Sequence, residues 1–219
     1  MSNAAVVTVT RLAAAVVIAA ALGVQAWADL TYGTFTWAQL PGYFTPLAAL
    51  AAVVALVAAA ITGADEPRWV ALLRVNAATY GVITGAVYWY LLAGVATPVY
   101  PWANMVLHGG AGAFLVADWL LIGKPVRLPL RTLWTVLVVP AAWIGYLLVR
   151  ATLDGWVPYP FLDPARGVST VAATIGVIAG IGLAVAAILH LAIVLRPLRR
   201  EPRPESGAVA VRTARTSRR

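Results

Sequence analysis

Cysteine is absent from this chain of 219 residues, and histidine occurs only twice. Without cysteine, disulfides and thiol chemistry are excluded. The two histidines, His108 and His190, lie far apart in the sequence, and the carboxylates do not cluster. Because a transition-metal site needs several such ligands close together, we expect no dedicated metal site and no other cofactor.

Charge is also scarce, since only 11% of the residues are charged while 62% are hydrophobic, and the mean hydropathy is +0.85. A soluble domain has about 25% charged and 45–50% apolar residues, so an ordinary soluble globule is excluded. Eight of the sixteen Lys and Arg residues lie in the tail 196–219 beside two Glu, and this tail carries +6 of the net charge of +8. The positive charge of the tail predicts that it contacts anionic lipid, and we expect no nucleic-acid partner.

Six stretches are long and apolar enough to cross a bilayer, which takes about 20 residues. They run roughly over 12–28, 44–61, 69–93, 103–122, 132–149 and 168–195. The sequence therefore predicts an all-α fold, with residues 1–195 forming a six-helix transmembrane bundle. Residues 196–219, rich in Arg and Pro, are predicted to be a basic, disordered tail.

The distribution of positive charge predicts the orientation of the bundle. If the spans alternate in direction, fourteen Lys and Arg residues fall on one side and only Arg150 and Arg166 on the other. Positive residues favour the cytoplasmic side, so we expect both termini there, in a bacterial-type cell membrane. One alternative concerns the first span, because its apolar run followed by Ala26-Trp27-Ala28 resembles a cleavable signal peptide. We expect the first span to be retained.

His108 lies within the fourth span, where an ionisable side chain is costly and usually faces a bundle interior or a cavity. Thr45 stands at the outer end of the second span, so the two side chains are expected to share the outer leaflet. A buried neutral imidazole is a suitable base for a Thr nucleophile. Asn104, four residues before His108, is expected to orient the ring or to donate to an oxyanion. Two alternatives remain open: Thr45 as a helix cap before Pro46, and His108 as a hydrogen-bonded interior residue.

Two structural ion pairs are predicted from depth. Arg74 in the third span and Asp118 in the fourth should meet near the inner face, because a lone charge there would be expensive. Asp163, in the proline-rich outer segment after the fifth span, is expected to pair with Arg150. We read that outer segment as an ordered cap over the bundle, and we expect His190 to be interfacial and structural.

The third span also carries a polar stripe at spacings of four residues. Such a stripe either joins helices through hydrogen bonds or lines a polar cavity. Its members are Asn76, Tyr80, Thr84 and Tyr88. Gly109, Gly110 and Gly112 in the fourth span allow the same two interpretations, close helix packing or room for a ligand beside His108.

Several of these features together resemble the bacterial six-span "Pr-six-Pr" membrane proteins. They are Tyr43-Phe44-Thr45 at the second span, His108 with Asp118-Trp119 in the fourth, Arg150 ending the fifth, and Pro158-Tyr159-Pro160-Phe161-Leu162-Asp163-Pro164 after it. The resemblance covers most of residues 12–195. That group is in turn distantly similar to the eukaryotic androgen-induced gene family, whose members are membrane threonine hydrolases of fatty acid esters of hydroxy fatty acids.

The resemblance implies that Thr45 is the nucleophile and His108 its base. The chain departs from the bacterial pattern at Ala48-Ala49, where relatives tend to have Ser-Asn, and at Gly112, where a Pro is usual. The first departure removes polar groups one turn from Thr45 that could have supplied an oxyanion donor.

The sequence therefore predicts an integral membrane protein that hydrolyses a lipid ester reached from the outer leaflet, with membrane lipids and an acyl-chain ligand as partners. The alternative is a non-enzymatic lipid-binding or transport protein that uses the same intramembrane pocket. A third interpretation is a structural bundle without a pocket. The distance between the Thr45 hydroxyl and a His108 ring nitrogen, and the presence of a cavity beside them, distinguish these interpretations.

Overall fold

A computed structural model describes residues 3–32, 36–95, 97–122 and 126–195. The predicted tail 196–219 and Lys124 lie outside the described residues. Within them the chain is helical and forms six helices that are long and apolar enough to cross a membrane. They are α1 (Asn3–Thr31), α2 (Phe44–Asp65), α3 (Arg68–Leu92), α4 (Pro101–Ile122), α5 (Leu130–Leu153) and α6 (Val168–Leu195). The predicted all-α six-helix bundle is confirmed.

The helix bounds differ from the prediction at several span ends. The first helix begins at Asn3 instead of near residue 12, so Arg11 lies inside it and is buried. The fifth begins with a 3-10 segment, Leu130–Leu137, before its α-helical part, Val138–Leu153. The charge of Arg11 marked the start of the predicted first span, although the helix continues through the largely apolar residues before it.

The third helix forms the centre of the bundle. It packs against α2, α4 and α6, and its core-facing positions are small, which lets the helices approach closely. The closest approach is to α4, where a Cβ added at Gly81 would lie 2.7 Å from the Gly112 Cα. Gly112 therefore serves close packing, whereas a Cβ at Gly109 would meet nothing within 4 Å.

The end of the bundle at which α2 begins, which we call the outer end after the predicted orientation, is covered by the segment between α5 and α6. It contains two short 3-10 helices, Pro160–Leu162 and Pro164–Arg166. Tyr159 and Leu162 are buried with Leu147 of α5, and Trp156 packs so closely on Gly42 that an added Cβ would lie 2.3 Å from the ring. The expectation of an ordered cap agrees with this packing.

Candidate functional site

The side chains of Thr45 and His108 meet in the outer half of the bundle. The Thr45 Oγ1 lies 3.1 Å from the His108 Nε2, and the contact is partly buried. The helix-cap interpretation of Thr45 is not what the structure shows, because α2 begins at Phe44 with Tyr43 at the N-cap position. Pro46 is accommodated in the first turn, where a backbone N–H has no intrahelical acceptor. Thr45 therefore directs its hydroxyl across the bundle to α4.

The partners of the imidazole define which nitrogen carries the proton. The His108 Nδ1 lies 3.1 Å from the backbone carbonyl oxygen of Asn104. A carbonyl only accepts, so Nδ1 carries the hydrogen and donates it. In the neutral ring Nε2 then has a lone pair, which accepts the hydrogen of the Thr45 hydroxyl. This is the arrangement that a Thr nucleophile with a His base requires.

The ring is also held by stacking and by a widened turn of its own helix. His108 lies in a π-helical turn, Val106–Gly110, a local irregularity that is frequent at functional sites. The ring of Tyr88 stacks on it with centroids 4.0 Å apart and an interplanar angle of 24°. The Asn104 side-chain amide donates to the Tyr88 hydroxyl at 2.9 Å.

The prediction that Asn104 orients the imidazole is thus corrected as to which of its atoms does so. The group that orients the imidazole is the Asn104 carbonyl on the main chain, which any residue would offer. The side-chain amide binds the hydroxyl of Tyr88, whose ring stacks on His108. Asn104 therefore acts on His108 through the aromatic ring that it positions.

Tyr159 is a residue of the site that the sequence analysis did not single out. Its hydroxyl accepts a hydrogen bond at 3.0 Å from the backbone N–H of Phe44, the residue before Thr45 in the first turn of α2. Burial raises the pKa of Tyr159 to about 12, so the phenol stays protonated at neutral pH. Since the Tyr159 oxygen is the acceptor in the bond from Phe44, its O–H hydrogen can be donated to an acceptor beside Thr45. The sequence feature that could have identified Tyr159 was its position in the Pro158–Pro164 run.

An almost wholly apolar cavity of about 120 Å³ adjoins the pair, and we call it the acyl chamber. Thr45 and His108 are part of its wall. For scale, an apolar cavity of about 150 Å³ in another protein binds benzene, so a short stretch of hydrocarbon fits. The remaining wall comes from α3, α5, α6 and the outer segment, and includes Ile83, Val87, Leu137, Trp143, Ile144, Phe161, Ile175 and Ile178.

The polar stripe of α3 divides between the two predicted roles. Asn76 donates to Thr135 of α5, and Tyr88 accepts from Asn104, so these two join helices. Tyr80 and Thr84 line the acyl chamber, and the buried Thr84 hydroxyl has no hydrogen-bond partner among the described residues.

A second cavity, of about 440 Å³, shares Thr45, Tyr88, Leu92, His108 and Tyr159 with the acyl chamber, and we call it the vestibule. Its other walls come from α1, the start of α2 with the residues before it, the start of α4 and the segment 97–99. The acyl chamber extends from the shared residues towards α5 and α6, whereas the vestibule extends towards α1. A substrate could therefore place one part in each.

A second contact between a threonine and a histidine shows that proximity alone does not make a site. The Thr132 Oγ1 lies 3.2 Å from the His190 Nε2, and His190 Nδ1 lies 2.8 Å from the Ala186 carbonyl oxygen. The Thr132 hydroxyl, however, also donates to the Pro129 carbonyl at 2.7 Å. His190 is buried, and neither residue lines the acyl chamber or the vestibule. This pair fits the structural role expected for His190.

The predicted contact between Arg74 and Asp118 is present and belongs to a larger buried network. Arg74 Nε donates to Asp118 Oδ2 at 2.8 Å, and Arg11 Nε donates to Asp118 Oδ1 at the same distance. Arg74 also binds both oxygens of Glu66. Two arginines and two carboxylates thus compensate each other and join α1, α3 and α4. Arg11 and Glu66 were not predicted as members, because they were assigned to a span end and to a turn.

The expected pair of Arg150 with Asp163 is corrected. Arg150 forms its ion pair with Asp154, four residues later on the same helix, at 2.5 Å. Asp163 instead accepts the Ala165 backbone N–H at 2.8 Å and caps the short helix Pro164–Arg166. The hydrogen bonds from Arg150 hold the pKa of Asp154 below its usual range. Asp154 lies four residues after Arg150, so this pair forms without a loop having to bring the carboxylate to the arginine.

The fold and this site define an integral membrane protein with a Thr–His pair between two intramembrane cavities. Comparison of the chain with protein-family profiles, with curated protein sequences and with solved structures gives no match.

Proposed function

We propose that this protein is a lipid-ester hydrolase of the cell membrane of a bacterial-type cell, with Thr45 as nucleophile and His108 as base. The single observation that carries the proposal is the 3.1 Å contact between the Thr45 hydroxyl and the His108 Nε2 beside the acyl chamber. The hydrogen bond from the His108 Nδ1 to the Asn104 carbonyl leaves Nε2 without a hydrogen in the neutral ring, as a base for Thr45 requires. The resemblance to the "Pr-six-Pr" and androgen-induced gene families implies the same roles for both residues.

The reaction proceeds in two halves. In the first, the Thr45 Oγ1 attacks the acyl carbonyl carbon while His108 Nε2 takes the hydroxyl proton. The tetrahedral intermediate collapses as His108 returns that proton to the leaving alcohol, and an acyl-Thr45 ester remains. In the second half, His108 takes a proton from a water molecule that attacks the acyl carbon. The carboxylic acid is released and Thr45 recovers its proton.

Two groups can stabilise the negative charge that develops on the carbonyl oxygen. The first is the Tyr159 O–H, which remains a donor because burial raises the pKa of Tyr159 to about 12. The second is the Thr45 backbone N–H in the first turn of α2, which has no intrahelical acceptor, whereas the Phe44 N–H is bound to Tyr159 and Pro46 has no N–H. Both stand beside the nucleophile itself. They fill the role that the polar residues absent at Ala48 and Ala49 could have played.

The acyl chain of the substrate would lie in the acyl chamber. A neighbouring apolar cavity of about 150 Å³, between α5, α6 and the outer segment, shares Ile144, Leu162 and Ile175 with it. A chain too long for the chamber can continue through this second space towards the lipid. Access from the outer leaflet thus requires no water-filled path for the apolar part of the substrate.

The test is hydrolysis of a long-chain ester by the purified protein in detergent. We expect turnover by the wild type and a loss of about 10³-fold or more in Thr45→Ala and in His108→Ala. Thr132→Ala is the matched control, because it removes a threonine hydroxyl from the other Thr–His contact, and it should retain full activity.

Each outcome decides between functions. Equal loss in Thr132→Ala and Thr45→Ala would assign the loss to folding and oppose the proposal. Wild-type protein that binds the ester without cleaving it would instead favour the alternative, a lipid-binding or transport protein that uses the same cavities.

A further inference from the structure

The lining of the vestibule includes a carboxylate as well as the reacting pair. Asp29, at the outer end of α1, is half-buried and lines this cavity together with Gln25, Tyr43 and Asn104. Its Oδ1 accepts a hydrogen bond from the Gln25 amide at 2.9 Å. Gln25 lies one helical turn before Asp29, so this bond fixes the carboxylate on the cavity-facing side of α1.

This carboxylate has no cationic partner in the part of the chain that the structure describes, since none of the ion pairs recorded there includes Asp29. The one arginine near the outer face with a recorded ion pair, Arg150, is joined to Asp154. No Lys or Arg lines the vestibule within the described residues. The cavity beside Thr45 therefore has a negative potential.

Tyr43 lines the vestibule together with Asp29. The pKa of Tyr43 is raised, first by burial and then by the Asp29 carboxylate. Tyr43 precedes the helix that carries Thr45, and its ring packs edge-on against Tyr159. Asp29, Tyr43, Thr45 and Tyr159 thus belong to the lining of one cavity.

We propose that the vestibule binds the alcohol part of the substrate and selects an alcohol with hydroxyl or ammonium donors over an anionic one. The proposal rests on the proposed function, because it assigns the acyl part to the acyl chamber and the leaving group to the opposite cavity. Asp29 accepts hydrogen bonds from the donors of the alcohol, while a carboxylate at that position is repelled. The selectivity departs from the hydroxy fatty acid esters that the family resemblance implies, whose leaving alcohol carries a carboxylate.

Three oleoyl esters that differ only in the alcohol test the proposal: the glyceryl ester, which has donors, the ethyl ester, which has none, and the anionic lactate ester. For the wild type we expect kcat/KM to fall in that order, with roughly tenfold or more between the glyceryl and lactate esters. In Asp29→Asn the difference should shrink by about tenfold, through a lower value for glyceryl and a higher one for lactate oleate. Asp65→Asn, at an exposed carboxylate of the inner loop, should leave it unchanged.

The outcome for selectivity is separable from the outcome for hydrolysis. A glyceryl-to-lactate ratio that Asp29→Asn does not alter, or a wild type that prefers the lactate ester, overturns the vestibule proposal while hydrolysis stands. If the wild type cleaves no ester, displacement of a fluorescent fatty acid by the corresponding oleyl ethers measures the same preference without chemistry. A preference for the glyceryl ether that Asp29→Asn abolishes then supports the vestibule site, and its absence overturns it.

Discussion

Replacing Asp118 by asparagine should be the most damaging single change in the inner half of the bundle. The Asp118 carboxylate accepts from Arg11 Nε and from Arg74 Nε at 2.8 Å, and its backbone carbonyl binds Arg74 as well. Asparagine keeps one acceptor oxygen and presents an amide N–H₂ group to a guanidinium that also only donates. The substitution therefore breaks a charge-assisted bond and leaves an uncompensated positive charge among side chains that are at most 3% exposed.

The magnitude follows from burial. Removing one partner of a buried ion pair costs about 3–5 kcal/mol, because the remaining charge stays desolvated. Other groups of the network cannot readily replace the lost bond, since the Arg11 Nη2 already lacks a hydrogen-bond partner and lies 3.9 Å from Glu66. For a chain of this size the loss corresponds to a fall of roughly 6–20 °C in Tm.

Thermal unfolding in detergent, followed by tryptophan fluorescence, measures the effect, because Trp119 lies beside the network with the Arg74 guanidinium 5.2 Å from its ring centroid. Asp65→Asn removes an exposed carboxylate from the same side of the bundle and should shift Tm by little. Arg11→Met should cost less than Asp118→Asn, since Asp118 keeps Arg74. Equal Tm values for Asp118→Asn and Asp65→Asn would refute the reasoning.

Three further predictions concern the site and the packing around it. Tyr159→Phe removes the donor beside Thr45 and should lower kcat by about 10²-fold with little change in KM, measured by steady-state ester hydrolysis; unchanged kcat would remove Tyr159 from the mechanism. Gly112→Ala places a Cβ 2.7 Å from the backbone of Gly81 and should cost about 1–3 kcal/mol in thermal unfolding, whereas Gly109→Ala should be neutral; equal costs would contradict the close crossing. Thr84→Val replaces an unpartnered buried hydroxyl by a methyl group and should stabilise the protein by about 1 kcal/mol in the same assay, and a loss of stability would show that this hydroxyl has a partner.

The architecture could be predicted because the bilayer imposes a length and an apolar composition on each helix. The contact of Thr45 with His108 could be predicted too, because alternating spans place both residues at one depth. The buried pair of Arg74 with Asp118 followed from the same reasoning, since an isolated charge at that depth would be too costly.

Other members of the site carried no signal of that kind. Tyr159 belongs to an irregular segment, so no periodicity predicted that its hydroxyl would return to the start of α2. The tautomer of His108 depends on a main-chain carbonyl, which sequence identity does not reveal. Asp154 could have been recognised as the partner of Arg150 from its i+4 spacing, had the helix been extended to Leu153.

Arg11 illustrates a different limit. Its charge placed it among the residues that anchor the inner face, and the apolar run after it marked the start of the span. The structure continues the helix to Asn3 and buries Arg11 against Asp118. Whether an arginine at a span end faces lipid headgroups or a carboxylate depends on a neighbouring helix, so the sequence of its own helix does not determine it.

The central claim is that Thr45 becomes covalently acylated with the help of His108. It is tested most directly by acid-quenching the protein during turnover of an oleoyl ester and mapping the acyl group by peptide mass spectrometry. The account predicts an oleoyl adduct on Thr45 in the wild type and none in His108→Ala, with Thr132→Ala like the wild type. Hydrolysis with the adduct on another residue, or an adduct on Thr45 that persists without His108, would contradict it.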